Sequence, residues 1–142
     1  MKASRVIEYA RPFYFPSEGY IRLIGFTIPG NLQRKDNQRR IVKVRGKPLV
    51  IKSKSALAYA RSFMEQVPEC ARQAYGDTDH PLALWAHAHY QSNRSDLSVE
   101  LLKDLLEKAG VVSNDRWIKA ELLFASIDRD NPRVEIEIYA II

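Results

Sequence analysis

A single cysteine in 142 residues, Cys70, leaves no internal disulfide to staple the chain. A protein that manages without one suits a reducing cytosol. No apolar run approaches the roughly 20 residues that a membrane span needs, so no membrane partner is expected. The opening stretch MKASRVIEYARP sets Arg5, Glu8 and Arg11 where a secretory leader would need unbroken apolar sequence, which makes a cytoplasmic location the expectation. G-x-x-x-x-G-K-[ST], G-x-G-x-x-G and G-x-S-x-G are all missing, so nothing points to a nucleotide, another small-molecule cofactor or a serine hydrolase. Internal repeats and low-complexity tracts are missing too. What remains is 46% hydrophobic and 27% charged, ordinary for a globular chain. The length fits one domain over 1–142 with a real core.

Charge is abundant but unevenly placed. Residues 1–61 carry 14 Lys or Arg against 3 acids, a net of +11, whereas residues 62–142 carry 8 against 14, a net of −6. The densest stretch, RKDNQRRIVKVRGKPLVIKSK, sets nine basic residues (Arg34, Lys35, Arg39, Arg40, Lys43, Arg45, Lys47, Lys52 and Lys54) against the lone acid Asp36. Concentrated positive charge of this kind is a candidate phosphate-binding surface. The whole basic segment, 31–54, is read as DNA-binding. Asn31, Gln33, Asn37 and Gln38 within it suit backbone contacts better than a packed core.

Hydrophobic periodicity supplies the elements. The first 19 residues are rich in aromatics (Tyr9, Phe13, Tyr14, Phe15) and carry Pro12 and Pro16, which suggests an extended arm. YIRLIGFTI, 20–28, reads as a strand ended by Pro29-Gly30. IVKVR and LVIK around Gly46-Lys47-Pro48 suggest a hairpin. A helix follows, capped by Ser53 or Ser55, with Leu57, Ala60, Met64, Val67, Ala71 and Tyr75 on its apolar face. Pro68 should kink or break it and Gly76 should end it. LALWAHAHY, 82–90, reads as a strand after the DTDHP turn. Leu97, Leu101, Leu102, Leu105, Leu106 and Ala109 give a second helix a wide apolar face, with Gly110 as its stop. WIKAELLFASI and VEIEIYAI read as the last two strands. The fold class is therefore α+β, a small mixed sheet with two main helices packed on it and a basic hairpin.

Three acids flank the second helix. Asp96 precedes it, Glu100 lies one turn on at i+4 so that both can reach one side, and Asp115 follows in the SNDR turn. Magnesium takes oxygen ligands, commonly one or two carboxylates with waters and substrate phosphates. A helix of this length spans about 20 Å. Asp115 therefore joins Asp96 only if the chain folds back or a second subunit supplies it. The alternative is structural: Asp96 caps the helix, early acids suit its dipole, and Asp115 sits in a turn. His87 and His89 form an H-x-H pair whose period of two puts both on one strand face, as a transition-metal site requires. Spacing reveals no third ligand, and His80 falls in a separate turn. Cys70 has no partner motif and is expected to be a buried structural thiol.

Several of these stretches together resemble the RusA family of phage and prophage Holliday-junction resolvases over roughly 20–140. The Ile28-Pro29-Gly30 strand end before a basic loop resembles the family's opening, and IKSKSALAYARSF its first helix. Asp96-Leu97-Ser98 through KDLLEKAGVVSNDRWI resembles its central signature, D-x-D-N-x-x-K, then a helix, then D-D. Aligned through Ala109-Gly110, the second acid falls on Asp96, the helical acid on Asp104 and the final acid on Asp115, with Asn114 before it. The chain departs from the signature at Arg94, Leu97 and Glu100, which stand for the first acid, the Asn and the Lys. Glu100 is a candidate replacement for the missing carboxylate, and Lys103 for the lysine.

The resemblance implies a dimeric, magnesium-dependent endodeoxyribonuclease that resolves four-way DNA junctions in recombination and repair. Asp96, Asp115 and Glu100 would hold Mg2+, which polarises the scissile phosphate and helps generate hydroxide. Lys103 or Arg94 would meet the developing negative charge. A homodimer, stabilised in part by Phe13 and Phe15 of the arm, would pair two sites for paired cuts. Two rival readings remain open at this point. One is a non-catalytic nucleic-acid-binding protein whose site has eroded at Arg94 and Leu97. The other is a protein-interaction module whose basic segment serves solubility.

Overall fold

A computed structural model of the chain describes residues 6–8, 11–30, 39–52, 54–92 and 99–142, with the backbone path alone for 6–8, 39–42, 44 and 49–52. Nine regular elements follow one another in it. They are β1 (Val6–Glu8), β2 (Tyr20–Pro29), β3 (Arg39–Val44), β4 (Lys47–Lys52), α1 (Lys54–Gln66), β5 (Leu82–Tyr90), α2 (Val99–Lys108), β6 (Ile118–Asp128) and β7 (Arg133–Ile141). Five strands form one sheet in the order β1-β6-β5-β7-β2, and β3 pairs with β4 in a separate two-stranded sheet. The β5–β6 pair is parallel and the other pairs are antiparallel, so the sheet is mixed. The fold is the α+β arrangement expected from the hydrophobic pattern.

β5 is central, and all nine of its residues are buried. A strand covered on both faces is written as a nearly continuous apolar run, which is what LALWAHAHY is. Leu82, Leu84, Ala86, Ala88 and Tyr90 join the main core with Phe63, Leu101, Leu102, Leu105 and Leu106 from the helices. The alternate residues Ala83 and Trp85 join a second cluster with Phe124 and Tyr139, against which Phe15 and Tyr20 pack. The helices thus lie on one face of the sheet, and the aromatic stretch near the N-terminus lies on the other.

α2 forms because its leucines recur at helical spacing. Leu101, Leu102, Leu105 and Leu106 are all buried, each stabilising the fold by about 1.5–3 kcal/mol relative to exposure. It ends where Gly110 takes φ +78°. The Gly110 amide donates to the Glu107 carbonyl and the Val111 amide to the Leu106 carbonyl. This is the Schellman pattern that a glycine at this position permits.

α1 departs from expectation in two respects. Its buried residues are Ala56, Tyr59 and Phe63, while Leu57 is 47% exposed. The two large rings at i and i+4 set the buried face, one residue away from the stripe read from the aliphatic residues alone. The helix also stops at Gln66, well before Gly76. Pro68 disfavours helical backbone in the residue before it and has no amide to donate. A single 3-10 turn, Glu69–Ala71, follows. Ala71 faces the core there, and Cys70 is exposed rather than buried. Ser53, one of the two proposed caps, lies outside the described residues.

The described part of the N-terminal stretch lies against the sheet. β1 pairs with the β6 edge, Val6 opposite Asp128. Tyr14 stacks on Trp85 with centroids 4.7 Å apart, Phe15 stacks on Tyr20 at 4.6 Å, and Phe13 meets Phe124 edge-on at 5.1 Å. The Trp85 indole also donates to the Phe13 carbonyl at 2.9 Å. Phe13 and Phe15, assigned to a dimer contact from sequence, are therefore engaged within their own chain, although Phe13 stays 60% exposed.

The hairpin turn is Arg45-Gly46, one residue earlier than Gly46-Lys47-Pro48 suggests. Both residues have positive φ, +52° and +78°, and Val44 pairs with Lys47 across them. Two-residue hairpin turns of this hand match the twist of the strands, and glycine relieves the second position. No described helix is long and apolar enough to cross a membrane.

Candidate metal centre

β5 and α2 set the residues picked out from sequence into two regions. The parallel β5–α2–β6 connection requires the chain to return along α2 to the start of the sheet. β6 therefore begins beside the start of β5, with Ile118 paired to Leu82. Asp115 sits in a 3-10 turn just before β6, and its amide donates to the Glu107 carboxylate at 3.0 Å. This fixes Asp115 at the C-terminal end of α2. Glu100 is exposed in the first turn, at the other end, and ten residues of helix separate the ends by about 15 Å. A single chain does not bring Glu100 and Asp115 together. Asp96 and Arg94 lie outside the described residues.

Lys103 is engaged by Glu121 of β6 at 2.6 Å. To meet a phosphate it must leave that carboxylate. Asp104, the helical acid of the resemblance, pairs with Lys108 at 2.9 Å, one turn on. Of the basic residues, Lys43, Arg45, Lys47 and Lys54 are exposed. Arg39, Arg40 and Lys52 are placed by backbone in β3 and β4. Arg34 and Lys35 lie outside the described residues.

The cluster best suited to hold a metal lies on the other face of the sheet. The antiparallel β5–β7 register sets His87 opposite Glu135 and His89 opposite Arg133. His87, His89 and Glu135 thereby offer ligand atoms that all lie within 4.8 Å of one another. Both imidazoles are buried, 3% and 4% exposed, and their rings stack at 4.0 Å. Glu135 Oε2 stands 3.8 Å from His87 Nδ1 and 3.6 Å from His89 Nε2. Ser126, fully buried on β6, meets His87 Nε2 at 2.6 Å, which turns the ring so that Nδ1 faces the carboxylate. His80 is elsewhere, held to Asp77 at 2.7 Å in its turn.

Charges around this cluster are balanced but for one carboxylate. Arg133 is held by Asp128 at 2.9 Å and lies 3.6 Å from Glu135 Oε1, which leaves Oε2 toward the histidines. Glu137, next along the same face of β7, is paired with Arg22. Burial, and then the Arg133 charge, hold the His89 pKa below its ordinary value, against the opposing pull of Glu135 and Asp128. A neutral imidazole is the form that ligates a metal. Beyond Trp85, burial and the Glu137 charge push the Tyr139 hydroxyl up to about 12, so it is a proton donor at neutral pH.

The H-x-H spacing pointed to two of the three residues of this cluster. Glu135 was missed because 46 residues separate it from His89. The signal that could have found it is the alternation of VEIEIYAI, which puts Glu135 and Glu137 on one face of the strand that pairs with β5. Neither a scan against protein-family models nor a search of curated proteins finds a match for this chain.

Proposed function

We propose that the protein binds DNA through its basic hairpin and cuts it at magnesium held by carboxylates around α2, with four-way junctions as the preferred substrate. The observation that carries the reading is the density of positive charge over 34–54, with Lys43, Arg45 and Lys47 exposed around the β3–β4 turn. Counterions released from phosphates drive such contacts without regard to base sequence. The resemblance of 94–117 to the RusA signature supplies the chemistry. Magnesium on Asp96 and Asp115 would polarise the phosphate and lower the pKa of an attacking water. Because Glu100 and Asp115 sit at opposite ends of α2, the site is proposed to be completed between two copies, the α2 start of one meeting Asp115 of its partner. Such a homodimer also pairs two sites for a two-fold substrate.

That same separation favours a second reading, a DNA-binding protein that does not cut. Both readings require the hairpin contact. The log of junction affinity should fall linearly with the log of salt, and the double variant Lys43→Glu/Lys47→Glu should weaken binding about tenfold or more while reducing the salt slope by about two. The loss should be similar for duplexes of unrelated sequence. Fluorescence anisotropy on labelled junctions and duplexes measures all three. Affinity indifferent to salt and to these charges would leave the interaction-module reading instead.

A further inference from the structure

We propose that His87, His89 and Glu135 form a binding site for a divalent transition ion of the zinc class, on the face of the sheet opposite the helices. The ligands would be His87 Nδ1, His89 Nε2 and Glu135 Oε2. Two observations carry this. The first is spacing. Around a tetrahedral ion with ligands at about 2.0–2.1 Å, neighbouring ligand atoms stand about 3.3–3.4 Å apart. The carboxylate oxygen is 3.8 Å and 3.6 Å from the two ring nitrogens. These separations are too long for hydrogen bonds and a few tenths of an ångström from coordination, while the two ring nitrogens, within 4.8 Å of each other, would draw together around the ion.

The second observation is that both ring nitrogens of His89 are buried with no hydrogen-bond partner among the described residues. A buried polar atom left without a partner costs about 1–3 kcal/mol, and a metal bond to Nε2 would relieve one of the two. The Ser126 hydroxyl on His87 Nε2 is the outer partner that commonly orients a ligating histidine. The donor set selects the ion. Two imidazoles and one carboxylate suit Zn2+, Co2+, Ni2+ or Fe2+, whereas Mg2+ prefers oxygen alone. Three protein ligands leave a fourth position, as in zinc sites that hold a water. The half-exposed Glu135 marks the side from which solvent reaches it.

This site shares no residue with the carboxylates around α2 or with the basic hairpin, so it stands or falls apart from the DNA reading. Its test is metal binding alone. Chelator-treated protein is titrated with Co2+ and followed by visible absorption, then with Zn2+ in competition with a chromogenic chelator. The expected result is one equivalent bound, with a d–d spectrum of a four- or five-coordinate ion free of thiolate charge transfer. Glu135→Gln, at a partly exposed position, should weaken binding at least tenfold with an unchanged far-ultraviolet circular dichroism spectrum. His89→Gln provides a second variant should the first perturb folding. Wild-type protein with no Co2+ spectrum at micromolar concentrations would overturn the proposal. So would folded Glu135→Gln and His89→Gln that bind as tightly as wild type, since the ion would then sit elsewhere.

Discussion

Asp96→Asn and Asp115→Asn are each expected to lower magnesium-dependent cleavage of a four-way junction by about 100-fold or more, the equivalent of about 3 kcal/mol of transition-state stabilisation. Junction affinity and melting temperature should hardly change. Asparagine caps a helix about as well as aspartate, so a merely structural role for Asp96 predicts no loss. At position 115 the backbone contact to Glu107 involves the amide, not the side-chain carboxylate, and an amide side chain is easily accommodated in the 3-10 turn. The substitution therefore removes charge and little else, and charge is what a hard cation needs. If two copies complete the site, mixing the two inactive variants should restore part of the activity, because some mixed dimers hold one intact site. Single-turnover cleavage by each variant and by the mixture separates these outcomes. Retention of full activity by both variants would remove the acids from the mechanism.

Trp85→Ala is expected to destabilise the fold by about 3–5 kcal/mol, within the range for large aromatic truncations in cores. Trp85 is 2% exposed. It stacks under Tyr14, packs against Phe124 at 6.0 Å and ties the chain at Phe13 through its indole. Losing it should therefore release residues 11–16 from the sheet as well as open a cavity. Trp85→Phe keeps most of the packing and loses the indole hydrogen bond, for about 1 kcal/mol. Denaturant unfolding gives both values, and hydrogen exchange at Tyr14 and Phe15 reports whether the stretch detaches. Equal and small losses for the two variants would mean that the aromatic layer adds little to the sheet.

The elements of this fold differ in how far the sequence reveals them. β5, α2, β6 and β7 were legible because each carries a strong local signal: an unbroken apolar run, a leucine face closed by Gly110, and clean alternation. The face of α1 was read one residue off because aliphatic spacing was followed where Tyr59 and Phe63 decide the packing. The docking of Phe13–Phe15 was not legible at all. An aromatic, proline-bearing stretch says that it will bury rings but not against which surface. The same limit hid Glu135 from His87 and His89, whose meeting depends on strand order and register, properties of the whole sheet. Asp115 was legible as lying past the far end of α2, but whether the chain folds it back to the helix start was not. The parallel β5–β6 pairing and the contact to Glu107 keep it at the C-terminal end, apart from Glu100.

The most direct measurement is incubation of the wild-type protein with a synthetic four-way junction, with and without Mg2+, at low salt. The account expects paired nicks near the crossover that appear only with Mg2+, are abolished by chelation, and are much weaker on linear duplex of the same sequence. Tight, salt-sensitive junction binding with no strand scission in Mg2+ or Mn2+ would contradict it and leave a DNA-binding protein without nuclease activity.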